Sequence, residues 1–369
     1  MKIAHICLSL GLGGAEKLLV DTLPEYKKLG HEVSIIQLSS KLEEKGYLQL
    51  MKFSNIEVIT LGSKGFISPL FIIKISKILN KEQYDIVHVH LFPNLYYLSI
   101  IRMLGLYKGV LVFTEHSTKN GRSDKVFFRF IEPYIYKRYN KIVAISGNVK
   151  CYLNDLLPKL KDKITLINNG VHISKFRKAI PYNKSIFLND EQVSKDCTLL
   201  LMVSRFSEPK DQLTLIKAMQ FLDDNYILLL VGEGENLNVC KRASIKFGNR
   251  VQFLGFRNDI PELMKTVDMN ILSSSYEGFS GVTLESLSSE KPFLGADVPG
   301  INDIVPDKDF LFELGNEEEL AKKIIFILNT DKFRESMINK AAEHVEQFDR
   351  KNMINRHLDM YLELLNENG

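Results

Sequence analysis

Short Val-, Ile- and Leu-rich runs recur along this chain, separated mostly by segments whose apolar residues follow a helical period. In the first half the runs are 2–8, 32–38, 56–61, 86–90, 110–115, 141–146 and 163–167, with helical periods over segments such as 15–29 and 69–80. A polar stretch, 178–196, then carries Pro181, Asn183, Asn189 and mixed charges, as an interdomain connection does. Alternation resumes with runs at 198–203, 226–231, 251–254, 269–272, 292–296 and 310–312. Helical patterns cover 212–221, 235–247, 260–265, 282–289, 317–328 and 350–365. Strands apolar on both faces, alternating with amphipathic helices, predict parallel, doubly wound sheets. The pattern predicts two Rossmann-like halves without close sequence repetition. Such sheets bind ligands outside the carboxyl ends of their strands, and two facing sheets would share one cleft there.

Polar and glycine-rich positions fall repeatedly at those ends. Gly11-Leu-Gly-Gly14 follows the first run, His90 and Asn94 the fourth, and Thr114-Glu-His116 the fifth. In the second half Ser204-Arg205, with Lys210 five residues on, ends the first run. Gly232-Glu-Gly-Glu235 ends the second, and the loop after the fourth carries Glu277. Glu277-Gly-Phe-Ser-Gly-Val-Thr-Leu-Glu285 reads as a loop opening a helix, with Ser280 or Thr283 as N-cap. A helix start offers unpaired N–H groups and positive dipole, which suit a phosphate. Glu277 and Glu285 then stand where they can hold two parts of one long ligand.

Composition changes this picture little. The 369 residues favour two domains, and 45% hydrophobic with 25% charged residues is ordinary for a soluble globular protein. Cys7, Cys151, Cys197 and Cys240 lie far apart and read as packed thiols of a reducing compartment. His5 interrupts the N-terminal apolar run, so a strand and glycine loop explain it better than a signal peptide. The apolar region 91–113 contains Pro93, Asn94, Arg102 and Lys108, which argue against a membrane span. Charge is informative. Residues 1–178 hold 27 Lys+Arg against 14 Asp+Glu, net +13, and residues 179–369 hold 21 against 31, net −10. A basic first half suits a phosphorylated acceptor or an anionic membrane surface as well as plain solubility.

Each motif has a bland alternative. Gly11-Leu-Gly-Gly-Ala-Glu16 is no dinucleotide fingerprint and serves equally as a tight turn. Arg205 and Lys210 suit a diphosphate, Arg as a fork and Lys as a point charge, or are two solvated cations. His88 and His90 alternate on one strand face, but no third ligand spacing supports a zinc site. His116 suits a ligand hydrogen bond or braces its loop. Asp307-Lys-Asp309 has the Asp-x-Asp pattern of metal-dependent sugar transferases, yet its late loop reads as a polar turn.

This ordered set resembles the family 4 retaining glycosyltransferases of the GT-B fold, over nearly the whole chain. Gly13-Gly-Ala-Glu16 resembles their glycine loop, and Val87-His-Val-His90 and Thr114-Glu-His-Ser117 their two N-domain histidine motifs. Val143-Ala-Ile-Ser146 and Asn168-Asn-Gly-Val171 are similar to the segments before the linker. Ser204-Arg-Phe-Ser-Glu-Pro-Lys210 resembles the donor-diphosphate motif. Val231-Gly-Glu-Gly-Glu235 and Phe253-Leu-Gly-Phe256 resemble the nucleotide-side strands, and Glu277 to Glu285 the E-x7-E signature. Two departures, Ser280 in a place more often glycine and Ser288-Ser289-Glu290 after the second glutamate, leave donor preference open.

The resemblance implies an acceptor-side domain at 1–178, joined by a C-terminal helix at about 350–369, and a donor domain at 179–349. It implies transfer of a hexose or N-acetylhexosamine from a nucleotide diphosphate sugar, UDP-sugar favoured, with retention at the anomeric carbon. Arg205 and Lys210 would stabilise the departing diphosphate, with the Phe279, Ser280, Gly281 and Val282 amides at the helix start. Glu277 would bind donor-sugar hydroxyls, Glu285 the ribose, and His116 the donor sugar. Gly14 and Gly278 would line the donor, and Gly13, His90 and Asn94 the acceptor. Neither metal nor cofactor is expected. The acceptor would be a saccharide, or one linked to polyprenyl diphosphate at the inner membrane face; the helical pattern at 66–79 suits such a surface, though taken alone it reads first as a core-packing helix. That places the protein in the cytoplasm or peripherally on the membrane, without nucleic acid. The rivals are a sugar-nucleotide 2-epimerase of similar fold and a non-catalytic sugar-nucleotide-binding protein.

Overall fold

The computed structural model describes all residues except 12, 41–50, 52–53, 63–64, 66, 118–125, 188–196 and 369. Two compact units divide it: 1–169 with 351–369, and 170–350. The first contains β1 (Lys2–Cys7), α1 (Gly14–Lys28), β2 (Glu32–Gln37), β3 (Glu57–Thr60), α2 (Leu70–Glu82) and β4 (Ile86–His90). It continues with α3 (Asn94–Met103), β5 (Val110–Glu115), α4 (Val126–Tyr136), β6 (Lys141–Ala144), α5 (Gly147–Leu156) and β7 (Ile164–Leu166). The strands form one parallel sheet in the order β3-β2-β1-β4-β5-β6-β7. Order reverses between β1 and β4, where His5 stands opposite His88 in register.

Period-2 alternation puts Ile3, His5 and Cys7 on one sheet face, with Ile86, His88 and His90 beside them. That face is covered by Leu19, Leu23 and Tyr26 of α1. The C-terminal helix α13 (Arg350–Asn368, numbered after the helices below) covers it too, through Met353, Tyr361 and Leu364. Burial of these large apolar side chains, at about 1.5–3 kcal/mol each, ties α13 to the first unit despite its distance in sequence.

The second unit contains α6 (Ile173–Arg177), β8 (Thr198–Val203), α7 (Gln212–Ala218), β9 (Tyr226–Val231), α8 (Leu237–Ser244), β10 (Val251–Gly255) and α9 (Ile260–Thr266). Then come β11 (Met269–Leu272), α10 (Gly281–Leu287), β12 (Phe293–Ala296), β13 (Leu311–Phe312), α11 (Glu317–Asn329) and α12 (Asp331–His344). Its parallel sheet has the order β10-β9-β8-β11-β12-β13, with the reversal between β8 and β11.

The division falls before Gly170, earlier than the expected boundary at 178. Residues 170–178 pack with the second unit: Val171 N–H donates to Phe348 O at 2.9 Å, and Arg177 pairs with Glu346 at 2.5 Å. Along this division the charge split is smaller, net +9 for the first unit and −6 for the second, but keeps its sign.

Candidate active site

In the second unit, three loops meet at the carboxyl ends of β8, β11 and β12. The loop after β8 carries Arg205 and Lys210. Phe206 N–H donates to Glu233 O at 2.9 Å, so the β9 loop braces it from behind. Gly232 has φ +137°, and a Cβ there would lie 2.0 Å from Ser204 O, so only glycine allows this approach. Lys210 ends a 3-10 turn, and Asp211 then caps α7, accepting from Thr214 N–H at 3.3 Å. The loop after β11 is stitched to this one: Ser273 Oγ donates to Asp211 O at 2.7 Å, and Ser275 N–H to Pro209 O at 2.8 Å.

These ties bring Lys210 Nζ to 2.5 Å from Glu277 Oε1, with side chains 22% and 13% exposed. The Arg205 guanidinium is exposed and has no partner among the described residues. The site thus offers one free fork-shaped cation, plus a second held by a carboxylate that an anion can displace.

The loop after β12 fixes Glu277 and the helix start. Glu277 N–H donates to Pro299 O at 3.3 Å and Ser280 N–H to Gly300 O at 3.0 Å. Gly300 has φ +82°, and a Cβ there would sit 2.3 Å from Glu277 O. Ser280 Oγ caps α10, accepting from Thr283 N–H at 3.2 Å. That is a physical use for serine where the family more often has glycine. Ser280 therefore cannot supply its own amide to a ligand, as the sequence had suggested. Among the described contacts the amides of Phe279, Gly281 and Val282 remain unpaired. The Phe279 ring packs on Phe348, with centroids 5.8 Å apart. Glu285, a little over a turn into α10, is buried, and Gly278 is partly exposed.

Sequence reasoning did not single out Asp211, Ser273 or Gly300. Asp before a helix and the Pro299-Gly300 dipeptide were readable signals of a cap and a turn. The Asp307-x-Asp309 pair caps a 3-10 turn, Asp307 accepting from Asp309 N–H. Both carboxylates face Lys340, at 2.7 and 3.5 Å, so part of the pair's charge is offset within its own unit.

The first unit holds the other expected residues. Gly13 is the N-cap of α1 and Gly14 its first residue, exposed. His116 follows β5 and is partly exposed, its N–H donating to Glu115 at 3.2 Å. His90 and Asn94 do not sit where a ligand reaches them directly. Asn94 is fully buried, its amide donating to His90 O at 2.8 Å, and His90 is 5% exposed with both ring nitrogens engaged by His5 and His116.

His5, His88, His90, His116 and His357 line a cavity of about 30 Å³. Burial pushes His5 down to about 3, His116 and His357 to about 4, and His88 and His90 well below the ordinary value. Ligand nitrogens of His5, His88 and His90 lie within 4.8 Å of one another, the spacing of a metal site. Their orientation does not suit one. The His88 and His90 rings stack, with centroids 4.4 Å apart and planes at 28°, so their in-plane lone pairs run side by side instead of converging. Both His88 nitrogens are also engaged, by Tyr361 at 2.5 Å and Thr114 at 2.6 Å.

Comparison with known proteins decides what this scaffold is. Residues 12–175 match Glycosyltransferase Family 4, and residues 184–344 match Glycosyl transferases group 1. The chain belongs to the family 4 type of glycosyltransferases. An Escherichia coli relative, UDP-Gal:alpha-D-GlcNAc-diphosphoundecaprenol alpha-1,3-galactosyltransferase, is 26% identical, covering 99% of this chain and 97% of its own. A Campylobacter jejuni relative is an alpha-1,4-N-acetyl-D-galactosaminyltransferase named for an undecaprenol-diphosphate-linked saccharide. It is 25% identical over 99% of each chain. The structure of Anabaena HepE with UDP and glucose superposes with TM-score 0.83 at 21% identity, covering 98% of this chain and 99% of that one. The glycosyltransferase therefore has the GT-B fold, built from two parallel-sheet Rossmann-like units.

Proposed function

We propose that this glycosyltransferase moves a hexose or N-acetylhexosamine from a UDP-sugar to a saccharide carried on polyprenyl diphosphate, with retention at the anomeric carbon. The observation that carries the reading is the Lys210–Glu277 pair at the switch point of the second sheet, with Arg205, exposed and without a partner among the described residues, on the same loop as Lys210. The names of the E. coli and C. jejuni relatives and the UDP complex of HepE support the donor and acceptor classes.

In this reading Arg205 and Lys210 take the charge of the departing diphosphate, with the amides of Phe279, Gly281 and Val282 at the start of α10. Gly278 and Gly14 give the donor room. Glu277 accepts from donor-sugar hydroxyls once the diphosphate draws Lys210 away, Glu285 holds the ribose, and His116 meets the donor sugar. Gly13 serves the acceptor side, with His90 and Asn94 supporting from beneath. The bond from the anomeric carbon to the diphosphate oxygen breaks as the acceptor oxygen bonds to that carbon on the same face. The acceptor's proton passes to the departing phosphate. The two cations do the work of a divalent metal, so catalysis is metal-independent. Thermal shift against UDP-, GDP- and ADP-sugars tests the donor. A UDP-sugar at one hundred times its Kd adds about 2.7 kcal/mol, roughly 3–4 °C for a chain of this size. The shift disappears in Arg205→Ala. A GDP- or ADP-sugar giving the larger shift would redirect the donor assignment.

We assign the acceptor's membrane to the first unit. Among the described residues no helix is long and apolar enough to cross a membrane. Instead α2 buries Phe71, Ile75 and Leu79 and exposes Leu70 and Ile73, with Lys74, Lys77 and Lys81 along the same helix. On neighbouring helices Met103, Phe130 and Tyr134 are also exposed. Apolar contact plus basic charge is what an anionic lipid surface selects. The whole protein is expected to bind phosphatidylglycerol vesicles at low salt. Release is expected as the Debye length falls from ~10 Å at 0.1 M to ~3 Å at 1 M. Leu70→Glu with Ile73→Glu weakens binding at every salt. Negligible binding to neutral and anionic vesicles alike would point to a soluble acceptor.

A further inference from the structure

We propose that His90, backed by His5, is a positioning residue that fixes the proton of His116 on Nδ1, making His116 a dedicated hydrogen-bond donor. The functional half rests on the reading that His116 meets the donor sugar.

Three imidazoles stand in series, His5 and His90 on the adjacent strands β1 and β4 and His116 just past the end of β5. His5 Nδ1 lies 3.1 Å from His90 Nε2, and His90 Nδ1 lies 3.2 Å from His116 Nε2. The ring centroids of these pairs are 5.4 and 5.5 Å apart. Each centroid distance exceeds its nitrogen distance by about two ring radii, the signature of rings meeting edge to edge in line. Burial keeps all three rings neutral near pH 7. A neutral imidazole has one N–H and one lone pair. Two in-line contacts among three such rings therefore allow two arrangements.

In the first, His5 Nδ1–H donates to His90 Nε2 and His90 Nδ1–H donates to His116 Nε2. The proton of His116 is then on Nδ1. In the second, every proton sits on Nε2, and the last of them, on His5, has no protein acceptor among the described residues. His5 is 3% exposed, and its Nε2 has no partner among the described residues. An orphaned buried N–H is a rarer defect than an unused acceptor lone pair. The first arrangement avoids it.

The consequence is chemical. The lone pair of His116 is committed to His90, so His116 does not act as a base through Nε2. Its Nδ1, which has no partner among the described residues, carries the proton and suits an oxygen of the bound sugar. A neutral donor of this kind keeps its role across the ordinary pH range, as a ring titrating near 6.5 would not.

Nitrogen-15 spectra of the full-length protein labelled at histidine report which nitrogen of each ring is protonated. With eight histidines in the chain the signals are assignable by single substitutions. His5, His90 and His116 are all expected as Nδ1–H in the wild type, and Nε2–H at His116 overturns the proposal whatever the variants do. In kinetics, His90→Asn keeps an N–H near the place of Nδ1, whereas His90→Phe does not. His90→Phe is expected to lower kcat by roughly tenfold, 1.36 kcal/mol, with donor KM within about twofold. His116 then shows mixed protonation, and His90→Asn restores most of kcat. Equal losses in both variants with the His116 signal unchanged mean that His90 only packs, which also overturns it. Wild-type turnover in His116→Ala would remove the functional half, and the wild-type spectra would still decide the proton arrangement.

Discussion

Arg205→Ala is expected to lower turnover by roughly 10²–10³-fold, the effect of losing one preorganised charge-stabilising group, ~2.7–4 kcal/mol. The guanidinium has no partner among the described residues, so its removal leaves no buried charge behind. The loop that carries it is held by backbone contacts, Phe206 N–H to Glu233 O and Ser204 N–H to Val231 O at 3.0 Å. Folding stability should therefore stay within about 0.5 kcal/mol of wild type, as for other exposed positions. Glu277→Gln behaves differently. It frees Lys210 for the diphosphate, so UDP alone binds more tightly while turnover falls by about 10²-fold. Steady-state kinetics with UDP calorimetry separates the two. Wild-type kcat in Arg205→Ala, or weaker UDP binding in Glu277→Gln, would show that the diphosphate does not sit between these groups.

The second large effect is loss of stability in mild acid. His5, His88, His90 and His357 are buried and His116 partly so, and burial depresses all five. In the unfolded chain each returns to a pKa near 6.5. Below that value the unfolded state binds more protons, so stability that is complete above about 6.5 is lost as pH falls toward about 4, where His116 and His357 titrate in the fold. Each ring contributes about 1.4 kcal/mol per pH unit across its window. The four buried rings alone give several kcal/mol per unit, against a usual total of ~5–15 kcal/mol. Urea unfolding at about pH 7.5, 6 and 5 should show a steep decline. A flat profile would mean that the cluster opens to water or exchanges protons without unfolding.

The strands were legible because a parallel sheet buries both faces. Runs such as 86–90, 110–115, 198–203, 226–231 and 269–272 therefore stand out, and each is a strand with those bounds. The second-unit site residues were legible by position, since Arg205, Lys210 and Glu277 follow apolar runs at the carboxyl ends. Their mutual geometry was not. Lys210 and Glu277 are 67 residues apart and meet only because β8 and β11 are neighbours. The same holds for His5. In sequence it interrupts an apolar run, and its partnership with His90 exists only because the strand order places β1 beside β4. His90 and Asn94 misled for the opposite reason. Polar residues at a strand end look like ligand contacts, yet both are buried and their hydrogen bonds close within the unit. The helix α12 escaped the pattern because only Met337 and Ala341 on it are buried, too sparse a stripe to show a period. The domain border was drawn late because the polar stretch after 178 advertises a connection, whereas Val171 and Arg177 are already bound to Phe348 and Glu346.

The most direct measurement is transfer itself. The full-length enzyme is incubated in excess EDTA with radiolabelled UDP-sugars and a saccharide linked to undecaprenyl diphosphate. UDP release and the anomeric configuration of the product are then read together. The account predicts UDP release that depends on the acceptor, a labelled lipid product with the donor's configuration, and no loss of rate in the chelator. Free epimerised sugar nucleotide without acceptor, donor binding with no release, or activity restored only by Mn²⁺ or Mg²⁺ would contradict it.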